Sequence, residues 1–210
     1  MLGTPKKSSR SVPRIMPVVS APPAVPPDPV LLDRFARGDK TALDDLFRRY
    51  RAVAYRVAYR LLGREADALD AVQDGFIKAL THLDRFRGHS SFKTWLLRIV
   101  SNAAMDLGRR RKRDGWNDKP EPAFGPDRAS ADDHPPPDAE LERADLRRVI
   151  EAALDRLPAA QRQTFVLHVD GELSYREVAE ALGISIGTVM SRLFYARQKL
   201  KTLLADRVLL

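Results

Sequence analysis

The sequence predicts an all-α protein made of two small helical domains that are joined by a flexible acidic linker. Apolar residues recur every three, four and seven positions through most of the chain, which is the periodicity of amphipathic helices. No stretch of useful length alternates between apolar and polar residues as a β-strand does. Residues 114–138 are rich in proline and aspartate and lack apolar periodicity, which indicates a linker and a domain boundary.

The composition favours a nucleic-acid partner and gives no sign of an enzyme. The chain has 210 residues and a formal net charge of +8, which suits a polyanionic partner. It has no cysteine, its four histidines lie at no metal-binding spacing, and it has no glycine-rich phosphate loop. We therefore predict no catalytic residues, no cofactor and no metal site.

Residues 1–28 are predicted to form a disordered tail, because they are basic and their apolar residues are interrupted by proline. The segment has neither the apolar core of a signal peptide nor a membrane span. A cytoplasmic protein without membrane insertion follows as the expectation.

The first predicted domain, residues 29–113, contains four helices. The first ends at Gly38, Asp39 caps the second, and Gly63 ends it. The third covers about residues 65–83, and Ser90 or Ser91 caps the fourth, which runs into five consecutive cations at residues 109–113. Five cations exceed what a helix C-terminus needs, so a phosphate-binding site is predicted there.

The third helix is predicted to have one apolar and one acidic face. The side chains expected to be buried are Leu69, Val72, Phe76, Ile77 and Leu80. Those expected on the polar face are Asp67, Asp70, Gln73 and Asp74. Taken by itself, such an acidic face is an ordinary solvated surface.

The second predicted domain, residues 139–205, ends in a helix-turn-helix. Ser174 and Glu177 have the spacing of a capping box, Gly183 ends that helix, and Ser185 caps the next one. The second helix of this pair carries four cations and no carboxylate before Asp206. Two amphipathic helices of an ordinary bundle share part of this pattern, but the agreement of caps, turn and charge favours a DNA-reading helix.

In this order the segments resemble the extracytoplasmic-function (ECF) class of the sigma-70 family of RNA polymerase sigma factors. The likeness lies in the stretches DRFARGDKTALDDLFRRY, DALDAVQDGFIKAL, LDRFRGHSSFKTWLLRIVSNAAMD with the arginine run, and LDRLPAAQRQTFVLHVDGELSYREVAEALGISIGTVMSRL. Together they cover nearly all of the chain outside the tail and the linker.

The resemblance implies that the first domain is sigma region 2, which binds core RNA polymerase and opens the minus-10 element. The residues that then fall on the polymerase-binding helix are Asp70, Gln73, Asp74 and Phe76. Asn102 falls where the family helps to hold a flipped base, and the other implied minus-10 contacts are Arg98, Arg109, Arg110 and Arg111.

The second domain is by the same resemblance sigma region 4, which reads the minus-35 element. The implied contacts are Ser185, Thr188, Met190, Ser191, Arg192, Tyr195 and Arg197. Met190 departs from the pattern, because many members of the family carry a basic residue there.

The implied function is that of a transcription initiation factor without chemistry of its own. Its partners would be the two largest subunits of core RNA polymerase, promoter DNA and an anti-sigma factor. The alternative is an autonomous helix-turn-helix regulator that binds an operator as a dimer, which would need a dimer interface and a sensing domain.

Overall fold

The computed structural model describes residues 26–86, 88–115 and 137–208, and within these ranges it confirms the all-α prediction. The described residues form one short 3-10 helix, Leu83–Arg85, and no strand. They also form the helices α1 (Asp28–Ala36), α2 (Lys40–Leu62), α3 (Glu65–Thr81), α4 (Phe92–Arg113), α5 (Pro137–Asp155), α6 (Ala159–Val169), α7 (Tyr175–Leu182) and α8 (Ile186–Val208). Most of the predicted tail and linker lies outside the described residues.

The helix ends follow the predicted capping residues. The Asp39 carboxylate accepts a hydrogen bond from the backbone N–H of Thr41 at 2.9 Å. Hydrogen bonds from Thr41 and from Arg34 lower the pKa of Asp39 to about 2. Ser91 rather than Ser90 caps α4, and Gly63 ends α2 with a φ of 70°, which a residue with a side chain rarely adopts.

Helices α2, α3 and α4 form the core of the first domain, and α1 packs against α2. Helices α3 and α4 approach closely where Gly75 faces Val100. A Cβ atom placed at Gly75 would lie 2.5 Å from Cγ2 of Val100, a distance that real Cβ atoms do not show. The two helices therefore pack at a separation that only glycine permits at position 75.

The predicted faces of α3 were wrong in part. Leu69 and Ile77 are 52% and 55% exposed, whereas Asp67 is buried at 2%. The buried side of α3 is centred on a row of small side chains, which lets α4 approach closely and turns the larger residues at the margin outward. The small residues of this row are Ala68, Ala71, Gly75 and Ala79.

Asp67 is buried beside two cations. Its carboxylate pairs with Arg111 from the C-terminal end of α4 and lies 3.7 Å from Arg64. Burial raises the pKa of Asp67, and the two neighbouring guanidinium groups oppose that rise. The ion pair joins the start of α3 to the end of α4.

Helices α6, α7 and α8 form the core of the second domain, and α5 packs along α8. Val166, Leu167, Leu173, Val178 and Leu193 are its central buried side chains. These residues are continuous with the core of the first domain, because α6 and α7 pack against α2 and α4. In this structure the two domains lie against each other.

We expect Gly75→Ala to destabilise the first domain by about 1–3 kcal/mol, because the added methyl group must displace Val100 or the backbone of α4. Gly108→Ala is the matched control, since its Cβ atom would lie an ordinary 3.6 Å from Leu62. In a helix interior that change is expected to stabilise by about 0.5–1 kcal/mol. Urea unfolding of both variants measures the difference, and equal stabilities would contradict the close packing at Gly75.

Candidate functional site

The helix-turn-helix is built from two capped helices. At the start of α7 the Ser174 N–H donates to the Glu177 carboxylate at 2.9 Å, and the Glu177 N–H donates to the Ser174 hydroxyl at 3.3 Å. Gly183 ends α7 with a φ of 64°, and the Ser185 hydroxyl accepts from the Thr188 N–H at 3.1 Å at the start of α8. The capping box, the glycine turn and the second cap were all predicted and are confirmed.

Helix α8 buries Val189, Leu193, Ala196 and Leu200 against the domain and exposes the opposite side. Ser191 and Tyr195 lie on the exposed side, and Met190, which is 54% exposed, shares one margin with the exposed Arg197. Thr188 and Arg192 are half-buried at the other margin. The residues predicted for minus-35 contact therefore share the first half of one helix, although they do not share a single face.

A groove of about 420 Å³ separates α8 from the start of α7. It is lined by Tyr175, Met190, Phe194, Arg197, Gln198 and Lys201. The Arg197 guanidinium donates across the groove to the Tyr175 hydroxyl at 3.4 Å. Phe194, which is 56% exposed, was not among the predicted contact residues, and its spacing of four from Met190 is the signal that could have identified it.

The residues predicted for minus-10 contact all lie on α4, but their side chains point either to solvent or into the domain. Arg98, Asn102 and Arg109 are exposed and are separated by four and seven residues, so they lie on one face. Arg110 is also exposed, beside that face. Arg111 instead turns inward to the Asp67 carboxylate, and only 22% of its side chain is exposed.

The predicted polymerase-binding residues of α3 also separate into two layers. Asp70, Gln73 and Asp74 are exposed and lie beside the exposed side chains of Leu69 and Ile77. Phe76 is 4% exposed and packs edge-to-face on Phe47, with 4.8 Å between the ring centroids. Phe76 thus supports this surface from below and does not form part of it.

Polar side chains on the two domains meet at α4. The Gln163 amide of α6 donates to Oδ1 of Asn102 at 3.0 Å and lies 3.3 Å from the Ser101 hydroxyl. The Thr94 hydroxyl donates to the Glu177 carboxylate at 3.3 Å. Burial opposes ionisation of Glu177, but hydrogen bonds from Ser174 and Thr94 outweigh it and lower the pKa of Glu177.

Ion pairs lie beside these hydrogen bonds. Arg60 of α2 donates to Asp170 at 3.1 Å, with 26% and 14% of the two side chains exposed. Arg56 pairs with Glu172 at 2.8 Å in a more exposed position. Glu172 has a φ of 54°, which is unusual for a residue other than glycine.

Burial raises the pKa of Asp170, and the attraction of Arg60 and Arg56 opposes that rise. The shift reflects how far the Asp170 carboxylate is shielded from water, and the two guanidinium groups are the charges that favour its ionised form there.

The two domains match two family models, Sigma-70 region 2 over residues 46–114 and Sigma-70 region 4 over residues 147–200. The ECF RNA polymerase sigma factor SigW of Bacillus subtilis is 33% identical over 174 residues, which cover 81% of this chain and 92% of the relative. The corresponding SigE of Mycolicibacterium smegmatis is 38% identical over 173 residues, which cover 81% of this chain and 65% of the relative.

The chain belongs to the ECF class of the sigma-70 family. It is a transcription initiation factor, and the autonomous regulator is the less favoured alternative because both domains match sigma regions.

Among solved structures, CnrH in complex with the cytosolic domain of CnrY is similar, with a TM-score of 0.62 and 28% identity over 85% of this chain and 97% of that one.

A second similar structure is the Bartonella quintana sigma factor RpoE in complex with the anti-sigma factor NepR. Its TM-score is 0.57, with 28% identity over 77% of this chain and 97% of that one. No helix in the described ranges is long and apolar enough to cross a membrane.

Arg60→Ala is expected to separate the two domains, because Asp170 would remain shielded from water without its closest cation. We expect a loss of about 1–3 kcal/mol in the free energy of domain packing, and at most about 1 kcal/mol for the control Arg56→Ala, whose pair is exposed. The chain has no cysteine, so Ala52→Cys and Gln198→Cys allow spin labels to be attached at two chosen sites. The interlabel distances should lengthen and broaden in the Arg60 variant alone, and an unchanged distribution would count against this ion pair as the main contact.

Proposed function

We propose that this sigma factor uses three surfaces: α3 for core RNA polymerase, α4 for the minus-10 element and α8 for the minus-35 element. The observation that best supports this division is that two helices with exposed cations, α4 and α8, lie in separate domains. A regulator that bound one operator half-site would need only α8.

At minus-10, we propose that Asn102 holds an extruded base while Arg98, Arg109 and Arg110 contact phosphates. The shared face of Arg98, Asn102 and Arg109 supports this assignment. For Arg111 the proposed contribution is indirect, since its pair with Asp67 positions the end of α4. At minus-35 the proposed contacts remain Ser185, Thr188, Met190, Ser191, Arg192, Tyr195 and Arg197.

The hydrogen bond from Gln163 occupies the Asn102 side-chain oxygen. We therefore propose that α6 must leave α4 before promoter DNA reaches Asn102. An anti-sigma factor is a further proposed partner, because one similar solved structure contains such a complex. The protein would act in the cytoplasm, where RNA polymerase works, and would carry out no chemistry itself.

The proposed polymerase-docking surface consists of Leu69, Asp70, Gln73, Asp74 and Ile77. Its apolar side chains are exposed, and carboxylates border them on the same helix. A partner surface with an apolar centre and basic surroundings would complement it. By family resemblance we assign this partner to the largest subunit of core RNA polymerase.

Run-off transcription with purified core RNA polymerase tests the function directly. We expect the full-length protein to direct initiation at specific start sites on templates drawn from its own genome. Core enzyme alone is the control. Specific DNA binding by the protein alone, with no stimulation on any template, would support the autonomous regulator instead.

Leu69→Ala is expected to weaken binding to core RNA polymerase by about 1–2 kcal/mol, because a half-exposed leucine would lose its contact in the complex. Val30→Ala is the control, since Val30 is 45% exposed on α1, outside the proposed surface. Titration of fluorescently labelled protein with core enzyme measures both affinities. If both variants bind like the unmodified protein, Leu69 does not contribute to docking.

A further inference from the structure

Helix α8 carries a second apolar strip that the domain core does not use. Ile186, Met190 and Phe194 are 47%, 54% and 56% exposed and follow one another at intervals of four residues. We call these three residues the apolar stripe. The core-facing side of α8 is formed by other residues, so packing within the domain does not explain the stripe.

The charge around the apolar stripe favours a polyanionic partner. Arg197 and Lys201 line the same groove as Met190 and Phe194, and α8 carries no carboxylate before Asp206. A surface that combines cations with exposed apolar side chains fits DNA that presents an apolar group between its phosphates. In the major groove that group is the C5 methyl of thymine.

The local shape permits a close approach of α8 to the bases. A Cβ atom at Gly187 would meet nothing nearer than the Ser185 hydroxyl at 3.8 Å, so the space beside the first turn is open. Ser191 is small and exposed next to Met190. Methionine is unbranched and polarisable, and its thioether can follow a methyl group over several rotamers.

We infer that Met190 reads a thymine of the minus-35 element through van der Waals contact with its C5 methyl group. Ile186 and Phe194 shield this contact from water on either side. The inference rests on the proposed role of α8 at minus-35. Many members of the family carry a basic residue at position 190, which would contact a phosphate or a base acceptor. Met190 gives this chain a preference for thymine instead.

The test uses the full-length protein assembled with core RNA polymerase. Duplexes are selected from a pool randomised across the minus-35 region, and each thymine of the selected duplex is then replaced singly by deoxyuridine, which lacks only the methyl group. We expect one replacement to weaken binding about fourfold, the equivalent of ~0.8 kcal/mol for one buried methyl group. Met190→Ala should bind the thymine and deoxyuridine duplexes equally.

Lys199→Ala is the matched control on the same helix. It should keep the fourfold ratio, because a lysine on this helix can meet a phosphate but does not sense the methyl group. Both residues are exposed, so both variants should keep the thermal midpoint of the unmodified protein. If Met190→Ala lowers the thermal midpoint, Met190→Leu replaces it as the test variant. Met190→Leu should keep the fourfold ratio between the thymine and deoxyuridine duplexes, because leucine also presents an apolar side chain.

The possible results distinguish the methyl contact of Met190 from the minus-35 role of α8 on which it rests. If no duplex is enriched, the minus-35 role of α8 itself is overturned. If a duplex is enriched but every deoxyuridine replacement is neutral, the minus-35 role stands and the methyl contact is overturned. A fourfold ratio that persists in Met190→Ala also overturns the inference, and the apolar stripe would then belong to a protein partner.

Discussion

The ion pair between Arg60 and Asp170 constrains how the second domain lies on the first. It joins α2 to the end of α6 in a region where little of either side chain reaches water. A shielded carboxylate that loses its cation is costly, whereas exposed pairs such as Arg56 with Glu172 contribute little. The same domain contact places Gln163 beside Asn102 and Glu177 beside Thr94. The buried side chains shared by α2, α4, α6 and α7 hold the domains together alongside the ion pair.

Asn102 has two possible partners, which links domain packing to function, and Glu177 has partners in both domains at once. Asn102 accepts from Gln163 in this structure and is the proposed holder of a promoter base. Glu177 caps α7 and also accepts from Thr94 on α4. A hydrogen bond between neutral groups contributes about 0.5–1.5 kcal/mol, and one to a charged group about 1.5–3 kcal/mol. A ligand that favours the separated domains therefore has to offset a few of these contacts together with the buried apolar surface between α4, α6 and α7.

Local chemistry explains which parts of the fold the sequence predicts. Asp39, Ser91, the capping box at Ser174 and the turn at Gly183 depend on neighbours within a few residues, and all of them are found as expected. The faces of α3 could not be predicted in the same way. Periodicity marks large apolar residues as buried, but α4 approaches the row of small ones. Asp67 is buried beside Arg64 and beside Arg111, which arrives from the end of another helix. The domain contacts are equally non-local, since Gln163 and Asn102 lie 61 residues apart in the chain.

The five consecutive cations at residues 109–113 face different directions on α4 and therefore have different contacts. Successive residues of an α-helix point about 100° apart, so five consecutive cations cannot face one surface. Arg109 and Arg110 point outward, and Arg111 turns toward Asp67. The number of cations in the run therefore overstates the number of phosphates that α4 can neutralise. Because salt dependence scales with phosphate contacts, the inward Arg111 lowers the expected salt sensitivity of this helix and instead joins the end of α4 to the start of α3.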